Sequence, residues 1–326
     1  MKYKVFVTRT IPGDAIKQLK KHFIVKVYPK DQKIPRKELI KGVKWCDALL
    51  CILTEKIDKE IIDINPNLKV ISNYAVGYNN IDVAYATKKG IPVCNTPSME
   101  VVDSVAEHAL TLLLAIAKRI HEDEVFVRKH KWKSWAPRLL LGSLIKNKTI
   151  GIIGLGRIGK GVAERAGHGL GMNVIYYDVR KDAKFEKKYK AKKVSLTTLL
   201  KKSDFVTLHV NLSKKTHHLI GKKELSLMKK TAYIINTSRG PVIDEKALTS
   251  ALKNKRIAGA GLDVHETEPS VNHTLHKLNN CILTPHIASA TVEVRQKMGE
   301  DAKNNIIAIL KKKGKPKIVN PEVLKK

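Results

Sequence analysis

The sequence predicts an α/β protein made of two doubly wound parallel-sheet domains. Three observations carry that prediction. Short apolar, strand-like runs alternate with helix-like segments along both halves of the chain, the pattern of a parallel sheet covered on both faces. Three glycines, Gly154, Gly156 and Gly159, open a helix directly behind one of those runs. Further strand-like runs end in clusters of polar residues, and open α/β sheets bind ligands just past such C-terminal ends.

In the first 98 residues the candidate strands are 4–7, 24–27, 48–53, 70–72 and 92–94. Helical patterns fall between them at 14–22, 36–43, 59–63 and 83–89. Together they read as one α/β domain, and Thr96 and Pro97 punctuate its end. A long helix rich in Ala and Leu follows over 101–120, with Asp103 and Glu107 in its early turns. Its length suits a bridge between two domains. Residues 125–142, which carry Trp132, Trp135 and Pro137, read as irregular and aromatic.

The next segment organises the rest. Ile150, Ile152 and Ile153 form a short apolar run with the look of a buried parallel strand. Behind it, G-x-G-x-x-G spacing assigns each glycine a task in a dinucleotide site. Gly154 lets the chain leave the strand in a tight turn, and Gly156 lets backbone approach a pyrophosphate. Gly159 lets the next helix pack close. That helix, with Arg157 and Ile158 in its opening turn, aims unpaired N–H groups at the phosphates. A second strand over 173–177 ends at Asp178, where a ribose-binding acid belongs. The pattern is a nucleotide-binding Rossmann unit. A carboxylate at 178 accepts from a free 2′-hydroxyl and repels a 2′-phosphate, which favours NAD over NADP. Arg180 and Lys181, close behind, keep NADP as the alternative.

Beyond it the alternation resumes, with helices at 195–202 and 245–253 and strands at 204–210, 232–236, 258–262 and 281–283. A last helix spans 291–312, followed by a basic, mobile end.

Composition bounds the reading. The length of 326 residues suits two domains. No apolar stretch reaches the ~20 residues of a membrane span, and the N-terminus is a strand pattern too short in its apolar part for a signal peptide. Cys46, Cys51, Cys94 and Cys281 lie in or beside apolar runs without C-x-x-C spacing, as reduced thiols of a cytoplasmic protein do. Net charge is +32, nearly all from lysines spread over many helices and loops. With no nucleic-acid module and little aromatic interleaving, this reads as a solvated surface that steers anionic substrates rather than a nucleic-acid interface. No His/Cys/Asp cluster has metal-ligand spacing.

Three segments place polar groups past strand ends: Asn236, Thr237, Ser238, Arg239 and Gly240; Asp263 to Pro269; and Thr284, Pro285 and His286. With residues 73–82 and 104–108 and the glycine motif, in this order, they make the chain resemble the NAD(P)-dependent D-2-hydroxyacid dehydrogenases, and within them the glyoxylate/hydroxypyruvate reductase-like branch. The resemblance covers nearly the whole chain. It implies a Rossmann NAD-binding domain over 99–287, inserted into a flavodoxin-like substrate domain made of 1–98 and 288–326. It also implies a homodimer.

Reduction of a 2-keto acid needs a hydride from the nicotinamide and a proton for the carbonyl oxygen. His286 fits the acid, because imidazole titrates near neutrality. Glu268 fits the partner that orients the ring and favours its charged form. Arg239 offers an always-charged fork to the substrate's carboxylate and carbonyl oxygen. Taken singly these types have ordinary roles: a surface or core histidine, a surface ion pair, a solvated acidic loop. Their shared motif context singles them out. By resemblance, backbone around Val76 and Gly77 cradles the substrate carboxylate, Asp263 contacts the nicotinamide carboxamide, and Ser104, His209 and Thr237 lie near the cofactor. Trp135 walls the substrate pocket, in this branch from the partner subunit, with ordinary packing as its alternative. The family usually has proline two residues after the position of His209, and here it is Asn211.

The expected reaction is NAD-dependent reduction of a small 2-keto acid such as glyoxylate or hydroxypyruvate. D-Lactate or D-3-phosphoglycerate oxidation is the rival within the same chemistry. The chain's end soon after Asn320 and Pro321 argues against the extra regulatory domain that phosphoglycerate enzymes often carry. A nucleotide-sensing, corepressor-like interaction protein is the rival of another class.

Overall fold

The structure, a computed structural model, describes residues 2–324. The chain divides into two compact units, Met1–Val101 with Ala290–Lys326, and Val102–Ser289.

In the first unit the elements run β1 (Lys4–Val7), α1 (Ala15–His22), β2 (Ile24–Val27), α2 (Arg36–Trp45), β3 (Ala48–Ile52), α3 (Lys59–Asp63), β4 (Val70–Tyr74), α4 (Val83–Lys88) and β5 (Val93–Cys94). All strand pairs are parallel, in the order β2-β1-β3-β4-β5, a flavodoxin-like arrangement. Both faces of the central strands are covered: β3, an unbroken apolar run, is buried all but its last residue, and β4 is buried throughout, its Ser72 and Asn73 included. The starts of α3 and α4 are fixed by aspartates. Asp58 accepts from the Ile61 N–H and Asp82 from the Tyr85 N–H, satisfying donors that the first turn leaves open.

The helix Val292–Lys311 belongs to this unit. Ser72 Oγ donates to the Ala302 carbonyl at 3.0 Å and Tyr74 OH to the Arg295 carbonyl at 2.7 Å. Beyond it the sequence reading expects a mobile end, and the structure corrects this as far as Asn320. Ile318 bridges Cys94, and Val319 N–H donates to the Val93 carbonyl. Buried Asn320 accepts from Val93 N–H and donates to the Ile91 carbonyl and to Thr87 Oγ1. A single amide that satisfies three partners outweighs the basic composition around it.

The second unit runs through α5 (Met99–Ala117, which starts in the first unit), α6 (Ile120–Arg128), β6 (Thr149–Ile153), α7 (Arg157–Glu164), β7 (Asn173–Tyr177), α8 (Ala183–Tyr189), β8 (Lys192–Lys193), α9 (Leu196–Lys202), β9 (Phe205–Leu208), α10 (Lys222–Leu227), β10 (Tyr233–Asn236), α11 (Glu245–Lys253), β11 (Gly259–Leu262) and β12 (Cys281–Leu283). Its seven parallel strands lie in the order β12-β11-β10-β9-β6-β7-β8. From β8 through β6 and on to β12 this is the doubly wound Rossmann order with one strand added. The order reverses between β6 and β9.

Two expectations shift here. The long helix ends at Ala117, because Arg119 takes a left-handed φ of +59° and the chain restarts as α6. The segment after 120, expected to be irregular from 125, is therefore helical to Arg128, with Glu122 and Asp123 in its first turn. Helix α8 carried no period visible in the sequence, but Asp182 caps it and buried Phe185 anchors it.

Candidate active site

Strand register builds the site of the second unit. Ile153 pairs with Tyr177 and with Leu208, Asn236 with Leu208 and Leu262, and Leu262 with Leu283. The next residue on each strand therefore falls in one row along the C-terminal edge: Asp178, Gly154, His209, Thr237, Asp263 and Thr284. Parallel pairing is what aligns six residues so far apart in sequence.

At the reversal point Gly154 has φ +95°, and a Cβ there would lie 2.8 Å from Val210 Cγ1 and 2.9 Å from the His209 backbone. Gly156 differs. A Cβ at that position would meet nothing within 4 Å, so the space over it is open to a ligand. Arg157 is exposed and Ile158 half-buried at the start of α7, while Gly159 is buried. Both Asp178 oxygens are oriented by backbone donors, Oδ2 by the Leu155 N–H at 2.8 Å and Oδ1 by the Arg180 N–H at 3.0 Å. Further along the row, His209 Nε2 meets Thr207 Oγ1 at 2.9 Å. Burial pushes the His209 imidazole down to about 3, so it is neutral. Its Nδ1 and the Thr237 Oγ1 are buried polar atoms with no hydrogen-bond partner within the chain. Such atoms want a partner, and together with the open space over Gly156 they fit a bound dinucleotide.

Past β10, β11 and β12 the loops bring three predicted residues together. His286 Nδ1 lies 2.9 Å from Glu268 Oε2. Glu268 Oε1 accepts from the His265 N–H at 3.2 Å. Burial works against ionisation of Glu268, but the hydrogen bond and charge of His286 outweigh it, so the carboxyl sits below its ordinary range. With Nδ1 committed to Glu268, Nε2 is the ring atom left for acid–base work. Arg239 is placed by an Asn236 turn: Asn236 Oδ1 accepts from Ser238 N–H and Oγ, and its Nδ2 donates to the Arg239 carbonyl. Arg239 Nη1 donates to the Ser238 carbonyl at 2.6 Å. Burial lowers the Arg239 pKa, with the charge of Glu268 opposing. The Arg239 loop and the Glu268 loop approach so closely that a Cβ on Gly240 would lie 1.8 Å from the His265 carbonyl oxygen.

Asp263 and Ser104, expected beside the cofactor, also hydrogen-bond to the segment past β12. Asp263 is fully buried. Its Oδ1 accepts from Thr284 Oγ1 at 2.7 Å and the Ile287 N–H at 2.8 Å, and its Oδ2 from the Ala288 N–H at 2.8 Å. Its carbonyl accepts from the His286 N–H. Ser104 Oγ donates to the Ala288 carbonyl at 2.7 Å. These bonds hold His286 at a left-handed φ of +57°, a conformation that costs a non-glycine residue ~1–2 kcal/mol. Burial would raise the Asp263 pKa, but hydrogen bonds from His108, Ile287, Thr284 and Ala288 bring it below its usual value. His108, 3.4 Å from Asp263 and 3.2 Å from Thr284 Oγ1, is a neighbour of the candidate site that the sequence reading left without a role. Its place in the motif with Ser104 was the available signal.

Val76 and Gly77 lie in the first unit, past β4. Asn95 Nδ2 holds the Val76 carbonyl at 2.7 Å, and Asn73 Nδ2 holds the Gly77 carbonyl at 2.9 Å. Across a trans peptide C=O and N–H point opposite ways, so these amides turn the N–H groups of Gly77 and Tyr78 to the other side. Trp135 is 81% exposed in the segment after α6.

Comparison with known proteins agrees with this fold. A family profile described as D-isomer specific 2-hydroxyacid dehydrogenase, NAD binding domain, matches residues 110–288. A glyoxylate reductase of Thermococcus litoralis is 48% identical over 99% of this chain and 98% of its own. Among solved structures, a protein from Thermus thermophilus is 38% identical with a TM-score of 0.91, covering 97% of this chain and 99% of that one. An NADPH-dependent glyoxylate/hydroxypyruvate reductase from Sinorhizobium meliloti is 28% identical with a TM-score of 0.85, covering 98% and 99%. With both sheets, the dinucleotide edge and the His286, Glu268 and Arg239 loops in place, the chain belongs to the D-isomer-specific 2-hydroxyacid dehydrogenases, NAD(P)-dependent oxidoreductases acting on CH–OH groups.

Proposed function

We propose that the protein reduces glyoxylate with NADH, and hydroxypyruvate as a second substrate. The observation that carries the chemistry is the His286–Glu268 pair at 2.9 Å beside the Arg239 loop. Glyoxylate is the substrate in the name of the Thermococcus relative. Reduced nicotinamide, when bound, supplies the hydride. His286 Nε2 gives the proton to the carbonyl oxygen, and Glu268 holds the ring and stabilises the charged form before transfer. Arg239 binds the keto-acid carboxylate and polarises the carbonyl. The Val76–Gly77 loop of the first unit offers a neutral anion cradle of its own. Asp178 supports NADH, because an oriented carboxylate repels a 2′-phosphate.

The cofactor side is carried by Gly154, Gly156, Arg157, Ile158, Gly159, Asp178, His209, Thr237, Asp263 and Ser104, the last two of which also brace the His286 loop. The working unit is a homodimer. Supporting this, the stretch from α6 to β6 exposes Trp132, Trp135, Leu141 and Leu144, an apolar load that monomers rarely leave in water. Trp135 then serves the partner's pocket.

Initial rates of NADH oxidation against glyoxylate, hydroxypyruvate and pyruvate, with NADPH in parallel, test the reading. Fastest turnover with NADH and glyoxylate supports it. Preference for NADPH would assign the ribose site to Arg180 and Lys181. Absence of turnover despite NADH binding would reject the reductase reading in favour of a sensing role.

A further inference from the structure

Away from the reductase site, His217, His218 and Glu266 each bring one ligand atom to within 4.8 Å of the others. The two histidines are neighbours in the loop after β9, and Glu266 lies in the loop after β11, 48 residues on from His218. The fold alone joins them.

We propose that these three residues form a binding site for a divalent first-row transition ion, with Zn²⁺ as its representative. Two imidazole nitrogens and one carboxylate oxygen are the donor set that such ions take in preference to Mg²⁺ or Ca²⁺. Two of the three donors are already positioned. His218 Nε2 lies 2.6 Å from Glu266 Oε1, and an ion replaces the proton shared there. His218 is held at a left-handed φ of +50°, with its N–H on the Pro241 carbonyl. Glu266 is oriented by a reciprocal pair: its Oε2 accepts from the Glu245 N–H, and its own N–H donates to Glu245 Oε2, both at 3.0 Å. Outer contacts of this kind are what aim metal ligands. His217, stacked on His218 with ring centroids 4.0 Å apart, is exposed and swings out of the stack to complete the set. Water fills the remaining positions on the solvent side. A bound ion ties the β9 loop to the segment that carries Glu268 two residues further on.

The test is calorimetric titration of the chelator-treated full-length protein with ZnCl₂, repeated on His217→Ala and on the double variant His217→Ala/His218→Ala. The single variant keeps the His218–Glu266 pair, so the loop keeps its fold. Wild type binds one Zn²⁺ per chain and melts at a higher temperature with it. His217→Ala binds at least ~10-fold more weakly, no less than the loss of an outer contact costs, and the double variant shows neither effect. Absence of saturable binding by wild type overturns the proposal. Equal affinity in wild type and His217→Ala overturns it as well, since the ion would then sit elsewhere.

Discussion

At the scale of single residues, the balance between burial and one well-placed partner decides protonation. Glu268 stays ionised because His286 offsets its burial. His286→Ala leaves the burial and removes the offset. Turnover should fall by about 10²- to 10⁴-fold, with the NADH dissociation constant unchanged in a fluorescence titration. A linked effect follows in acid. A carboxyl held below its unfolded value stabilises the fold above that value, and the stabilisation is lost as pH falls through the folded value. The variant lacks that acid-labile contribution, so its stability should fall less than the wild type's as pH drops into the carboxylate range, which urea unfolding followed by circular dichroism at a series of pH values would detect. His209 gives the complementary case. Its folded value of about 3 lies far below an unfolded value of ~6.5. The unfolded chain therefore binds an extra proton between those limits, and stability falls as pH drops from ~6.5 towards 3. His209→Gln should flatten that slope in urea titrations run at a series of pH values. An unchanged slope would show that His209 does not drive it.

At the scale of elements, the site depends on how closely neighbouring loops approach. The Arg239 and His265 backbones meet at Gly240, where any side chain would collide with a carbonyl. Gly240→Ala must part the loops that position Arg239 and Glu268. A misplacement of ~1 Å costs about 10²-fold in rate, and overpacking costs ~1–3 kcal/mol of stability. We expect kcat/KM for the keto acid to drop by that factor while the fold persists with a lower Tm. Full activity would show that the loops carry slack. The loop after β12 illustrates the same dependence. Asp263, Ser104 and His108 each touch either that loop or its anchor, so the left-handed His286 is held from two places in the second unit, α5 and the end of β11.

At the scale of the whole molecule, charge is the dominant feature. With 62 basic against 30 acidic side chains, and exposed lysines such as Lys187, Lys188, Lys311 and Lys313, the field draws anions in. The Debye length shrinks from ~30 Å at 0.01 M to ~8 Å at 0.15 M salt. Over that range kcat/KM for an anionic keto acid should fall while kcat holds. A flat profile would assign anion capture to Arg239 and its near neighbours alone.

The alternation of apolar runs, the glycine spacing around Gly154 and the polar clusters at strand ends were legible in the sequence, because each is a local pattern with a local cause. A buried parallel strand must be apolar on both faces, and a chain leaving a strand at positive φ needs glycine. From these came both sheets and the dinucleotide edge, while the choice of Arg239, Glu268 and His286 rested on the resemblance of the motifs that contain them. What the sequence could not show is anything set by pairing across distance. Register decides that Asp178, Gly154, His209, Thr237, Asp263 and Thr284 share one row. Burial decides that Asp263 supports the His286 loop with both oxygens, and docking decides that a basic tail is held at Asn320. The meeting of His217 and His218 with Glu266 is of the same kind: spacing along the chain carries no trace of it, because the distance between the two loops is set by the sheet.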